Sequence, residues 1–184
     1  MSSLTIWRDD APETPVLETE DATLISARLG DKGVRFERWH GPAVPPKDAS
    51  EEEILAVYRD SLDRLMGETG AGSADVIRLN ERTPGREALR QKFLSEHIHT
   101  EDEVRFFVHG SGHFVLHMDG CVYDAGCVAG DLISVPAGTR HWFDAGETPD
   151  VVALRVFTDT TGWIAEYTGD DIATRFPVTV SATV

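Results

Sequence analysis

The chain has 184 residues, a length that suits one domain. It carries 32 acidic against 17 basic side chains, a net charge of −15 that repels phosphate backbones and anionic lipid, so neither nucleic acid nor a membrane surface is an expected partner. Hydrophobic residues at 41% and charged residues at 27% exclude a disordered composition, and no apolar run approaches the roughly 18 residues of a membrane span. The first residues, MSSLTIWRDDAPE, lack a basic stretch followed by an apolar core and do not read as a secretory signal. Cys121 and Cys127 form no disulfide framework, whether or not they pair, and a reducing cytoplasm is the expected setting.

Taken in chain order, Leu24, Ile25 and Leu29 predict a short helix stopped near Gly30, and the alternation of Gly33 to Trp39 predicts a strand. Three prolines between Gly41 and Lys47 make a loop. Ser50 to Glu53 is a capping box, and behind it Ile54, Leu55, Tyr58, Leu62, Leu65 and Met66 share the face of one amphipathic helix. Val76, Ile77 and Leu79 suggest a short strand, and Pro84 to Leu94 a further helix. From about Val104 to Phe157 short apolar runs are punctuated every ten or so residues by glycine-bearing turns, the rhythm of antiparallel strands closing into a barrel or jelly roll. The expected architecture is mainly β, one domain over 1–184. Within it, 1–95 is a mixed α/β elaboration that supplies most of the flanking helices, 96–160 the barrel core, and 161–184 a partly helical tail packed on the barrel.

Four residues carry the chemistry. His97 and His99 alternate onto one side of an extended chain, and Glu103 keeps their parity; a turn over Thr100 to Asp102 would return it on a neighbouring strand facing the same interior. His141 follows 38 positions after Glu103, enough for three strands. Three neutral imidazoles and one carboxylate suit Fe(II), Ni(II), Mn(II), Co(II) or Zn(II), one ion per chain. With an octahedral ion, two adjacent positions stay open to a bidentate oxygen ligand. His-x-His alone is a weak signal, but here it sits in a frame: Gly110 follows Glu103 after six residues, and Gly130, Pro136, Gly138 and His141 form a second fixed pattern whose turn aims the imidazole inward. His109 and His113 read as exposed hairpin residues, His40 as surface, His117 as able to reach the interior without being a ligand, and the two cysteines as small hydrophobes.

These two patterns resemble the paired motifs of the cupins, with Ala145 where an Asn often stands at a position that is not a ligand. More of the chain is similar to the bacterial acireductone dioxygenases: Gly33 to Trp39, Phe93 to Phe107, Asp131 to Phe143 with its His-Trp-Phe-Asp, and Gly162 to Ala165 with Gly169 to Ala173, together from about Leu4 to Pro177. The resemblance implies a cytoplasmic, monomeric, metal-dependent dioxygenase of methionine salvage. Its substrates would be 1,2-dihydroxy-3-keto-5-(methylthio)pentene and O2. The Fe(II) form would yield 4-methylthio-2-oxobutanoate and formate, and the Ni(II) form 3-(methylthio)propanoate, formate and CO. By position it makes His97, His99, Glu103 and His141 the metal ligands and Arg105 the residue that helps generate the substrate dianion, with Glu96 and Asp102 as accessory positions for metal incorporation and local conformational change.

The residues agree with that chemistry. An acireductone loses two protons to become a chelating dianion, and Arg105 shares the parity of Glu103, where a guanidinium would favour the dianion; the bland alternative is a surface ion pair. Phe93, Phe107, Phe143 and Trp163 are candidates to pack the methylthio tail, or else ordinary core. Arg155, a charge in an apolar strand, either faces the pocket or pairs with an acid. The rival readings are a cupin dioxygenase acting on another enolic or thiol substrate, an O2-independent cupin isomerase, and a non-catalytic cupin that binds a small ligand.

Overall fold

Strand alternation sorts the protein into two packed sheets. The computed structural model describes residues 1–41, 43–158, 164–176 and 178. In chain order the elements are β1 (Ser3–Arg8), β2 (Leu17–Thr19), α1 (Ala22–Gly30), β3 (Arg35–Arg38), α2 (Glu51–Val57), α3 (Arg59–Thr69), β4 (Ser73–Leu79) and α4 (Arg86–Phe93). There follow β5 (His97–Ile98), β6 (Glu103–His109), β7 (Ser111–Met118), β8 (Cys121–Val128), β9 (Asp131–Val135), β10 (Arg140–Asp144), β11 (Val151–Phe157), β12 (Glu166–Tyr167) and α5 (Ile172–Arg175). A seven-stranded sheet runs β12-β5-β10-β7-β8-β1-β2 and a five-stranded sheet β3-β9-β6-β11-β4. The result is a mainly β architecture of two antiparallel sheets with flanking helices, as the sequence predicts.

Each face of each sheet has its own neighbour. On β6, Glu103, Arg105 and Phe107 point between the sheets, while Val104, Phe106 and Val108 point out and pack with Trp39, Ile54, Tyr58, Leu62 and Leu65. The facing interior joins Leu4, Ile6, Phe114, Leu116, Tyr123 and Ala125 of the larger sheet to Phe36, Phe107, Ile133 and Val151 of the smaller one, with Ile25 and Leu29 of α1 in the same core. On the outer face of the larger sheet, Val115, Val122 and the fully buried Trp142 pack with Ile172 and Phe176, so the described part of the tail lies on the barrel. Burying one such large apolar side chain is worth about 1.5–3 kcal/mol.

Three sequence expectations change. The stretch behind the capping box is two helices: the box forms at Ser50 and Glu53, but Tyr58 adopts φ −103° and ψ 12° and separates α2 from α3. The apolar period runs unbroken through that kink, because Ile54, Tyr58, Leu62 and Leu65 are all buried. The sheets also draw on the first half of the chain, since β1 pairs along its whole length with β8 and β4 with β11. Finally, β1, β2, β10 and β12 add strands that the sequence pattern does not signal; β2 and β12 have only three and two residues, too short for alternation to register. Cys121 and Cys127 are both free thiols.

Candidate metal centre

His97 on β5 lies directly opposite His141 on β10, so strand register alone brings two imidazoles together. His99 follows just past β5 on the same side. Glu103 opens β6, and here the sequence expectation needs correction. Glu103 faces the same interior as the histidines, as expected, but β6 is not a neighbour of β5: it belongs to the five-stranded sheet, so the carboxylate meets the histidines from the opposite wall. Four ligand-type atoms, one from each residue, lie within 4.8 Å of one another, and all four residues are buried. The ring centroids of His97 stand 4.5 Å from those of His141 and 5.0 Å from those of His99.

Main-chain contacts orient the rings. His97 Nδ1 donates to the Ser95 carbonyl at 2.7 Å and His141 Nδ1 to the Thr139 carbonyl at 2.8 Å, which leaves each Nε2 facing the cluster. His141 Nε2 is 2.7 Å and His99 Nε2 3.4 Å from Glu103 Oε2, while Arg105 Nη2 is 3.0 Å from Glu103 Oε1. The turn before His141 is tied to the first motif: Gly138 N donates to the His99 carbonyl at 2.8 Å, and Ala137 N to Asp102 Oδ1 at 2.9 Å. Asp102, itself exposed, thus links the two ligand-bearing segments.

Burial penalises charge throughout the cluster. It pushes His97 down to about 4, aided by the neighbouring His141. For Glu103 burial works upward but is outweighed by the Arg105 cation and by hydrogen bonds from His141 and His99, which hold the carboxyl well below its usual range. Burial also lowers Arg105 to about 10, which leaves it cationic at neutral pH. His141 is raised, because the Glu103 carboxylate outweighs burial. Inward-facing imidazole nitrogens and a carboxylate, crowded so closely that a proton must lie between His141 and Glu103, form a donor set that fits a dication of borderline hardness.

Three of the four, His97, His99 and Glu103, line a cavity of about 250 Å³, below the usual range for drug-sized ligands and suited to a small molecule. Phe93, Phe107, Phe143, Arg105 and Arg155 all line it; Trp163 lies outside the described residues. Both alternatives for Arg155 hold at once: it faces the cavity, and its guanidinium is bidentate to Asp75, at 2.7 and 2.5 Å. Sequence reading missed Ile77, Leu89 and Phe114 in the lining, since nothing local distinguishes them from ordinary apolar packing, and Tyr167, which sits on a two-residue strand. It also missed why Gly112 lacks a side chain: a methyl group there would stand 2.5 Å from the Phe143 ring. Glu96 is buried yet turned away from the cluster. It accepts from His117 Nδ1 at 2.8 Å and from Thr168 Oγ1 at 2.5 Å, so His117 serves this bond and does not line the cavity. His109 and His113 are half-buried and not exposed, the first bonded to the Pro45 carbonyl and the second to Asp124.

Two antiparallel sheets enclosing a buried three-histidine, one-carboxylate cluster define a metal-dependent enzyme of the cupin class. A family model described as the ARD/ARD' family matches residues 4–165, and the chain belongs to that family. It is 70% identical over 178 residues to an acireductone dioxygenase of Gluconacetobacter diazotrophicus, covering 97% of this chain and 99% of the relative. To an acireductone dioxygenase of Acidiphilium cryptum it is 65% identical, with the same coverage. Among solved structures it is similar to acireductone dioxygenase from Bacillus anthracis with a cadmium ion in its active center, with a TM-score of 0.79, 34% identity, and coverage of 91% of this chain and 98% of that one. The chain is accordingly an enzyme of the dioxygenase class, and among the described residues no helix is long and apolar enough to cross a membrane.

Proposed function

We propose that the protein is a metal-dependent acireductone dioxygenase of methionine salvage, acting on 1,2-dihydroxy-3-keto-5-(methylthio)pentene with O2 as one cupin domain. The observation that carries the reading is the four-residue cluster at one end of a small cavity, with Arg105 against Glu103. His97, His99, Glu103 and His141 hold one Fe(II) or Ni(II) per chain. The cadmium in the Bacillus anthracis relative supports a divalent ion in this part of the fold. When bound, the ion supplies Lewis acidity toward the enediol oxygens and fixes their orientation. With Fe(II) the products are 4-methylthio-2-oxobutanoate and formate, and with Ni(II) 3-(methylthio)propanoate, formate and CO.

The chain's own residues do the rest. The Arg105 guanidinium, cationic and buried, favours loss of the second substrate proton, because a dianion is better accommodated beside it than a monoanion. Arg155, held by Asp75 across β4 and β11, presents a second cation to the substrate carbonyl. Phe93, Phe107 and Phe143 exclude water and pack the thioether tail. Glu96 and Asp102 do not line the cavity; one secures β5 from behind and the other ties the two motif segments together.

The decisive experiment generates the acireductone anaerobically, follows its ultraviolet absorbance, and admits O2 with and without protein loaded with Fe(II) or Ni(II). Faster, metal-dependent decay with release of formate is expected. An unchanged rate eliminates the reading.

A further inference from the structure

The cavity has a polar and an apolar end, set by register. Along β11 and its partners, Arg155 lies opposite both Arg105 and Asp75, whereas Ala153 lies opposite Phe107 and Ile77, and Val151 opposite Leu79. On the facing sheet the order is the same: His141 stands opposite His97, and two residues on Phe143 stands opposite Phe114. A substrate whose oxygens meet the metal ligands therefore extends its tail toward Phe143. That end is closed by α4.

Helix α4 does little to hold itself. It has eight residues, none buried, and its N-cap is Gly85 with no side-chain cap bond. Leu89 and Arg90 lie four and three residues before Phe93, so both neighbour it on the helix surface. Leu89 and Phe93 line the cavity, and Phe93 meets Phe143 edge-on at 6.1 Å. Arg90 makes a fork: Nε and Nη2 donate to Asp144 Oδ1 and Oδ2 at 2.9 and 2.8 Å. Asp144 is 3% exposed and belongs to β10, the strand that carries His141 and Phe143. A bidentate guanidinium–carboxylate pair fixes rotation as well as distance. One ion pair thus sets where α4 stands relative to the strand that bears a ligand and the tail-facing aromatic.

We propose that Arg90 and Asp144 are positioning residues that set the depth of the apolar end and so decide the length of substrate tail the site prefers. The proposal rests on the acireductone reading of the polar end. Each buried methylene is worth about fourfold in binding, so an acireductone with the methylthioethyl tail should exceed one with a methyl tail by roughly fifty-fold in kcat/KM in the wild-type Ni(II) holoenzyme. Arg90→Met keeps bulk without the fork. It should lower that ratio to about fivefold, through KM more than kcat, while retaining metal, and Arg90→Lys should recover part of it. Hydrogen exchange over residues 86–93 should rise at least tenfold in Arg90→Met. Asp144→Asn is the reciprocal test where it folds. A loss that is equal for both tails, or an unchanged ratio, overturns the proposal, as does unchanged exchange. Absence of turnover on either tail by the wild type overturns the acireductone reading and the tail preference with it, and the exchange result then separately reports whether the fork holds α4.

Discussion

Arg105→Met isolates the electrostatics of the centre. The guanidinium lies 3.0 Å from the Glu103 carboxylate, and both side chains are nearly buried, 15% and 9% exposed. Coulomb's law at that separation with an effective dielectric of about 20 gives an attraction of about 5.5 kcal/mol. Removing one partner of a buried pair costs about 3–5 kcal/mol, because the remaining charge is stranded. Glu103 can relieve part of this by taking up a proton, so about 3 kcal/mol is expected for the metal-free protein, a fall in Tm of roughly 10 °C for a chain of this size. A bound dication would supply the missing positive charge, and the deficit should then shrink below about 1 kcal/mol. Scanning calorimetry of wild type and Arg105→Met, each stripped and each loaded with Ni(II), measures both differences. The loaded variant should also keep its metal while losing turnover. An equal Tm loss with and without metal, or a metal-free loss under about 1 kcal/mol, would refute the claim that Arg105 and the ion compensate the same carboxylate.

The other expectations are shorter. His99→Ala and Glu103→Ala each remove a ligand and should abolish stoichiometric Fe(II) or Ni(II) binding, as read by elemental analysis after gel filtration; full retention by both contradicts the ligand set. Glu103 titrates well below its ordinary value of 4.5 when folded, so the unfolded chain takes up the proton first. Its contribution is complete above about pH 4.5 and drains away as pH falls toward the folded value, so the metal-free Glu103→Gln protein should show a shallower acid slope of Tm than wild type. Burial raises the Cys127 thiol well above its usual range, whereas Cys121 is half-buried. A thiol reagent at pH 8 should therefore modify Cys121 alone until denaturant is added. Gly112→Ala should drive the Phe143 ring toward the cavity and raise KM for the methylthio substrate at least tenfold with metal content unchanged.

How much of this was legible beforehand depends on the range of the information. The pairing of His97 with His99 follows from the two-residue period of an extended chain, and the capping box at Ser50 from a three-residue relation, and both are as expected. The helix break at Tyr58 was hidden because the apolar period continues through it, so the pattern that reveals the helix cannot reveal the kink. Arg155 was ambiguous in sequence because its partner, Asp75, lies 80 residues away. Nothing local marked Arg90 at all, and its acid is 54 residues distant.

By itself the amino-acid order determined the donor types, their spacing, the glycine and proline turns that frame them, and a net charge of −15. Only the tertiary structure decided that Glu103 meets the histidines from the opposite sheet, that His141 faces His97 across one strand pair, and that α4 closes the apolar end of the cavity. The physical reason is that side-chain direction is set by the backbone's own period. The choice of strand neighbour depends instead on register between segments far apart in the chain, which is settled only when both faces of each sheet are buried together.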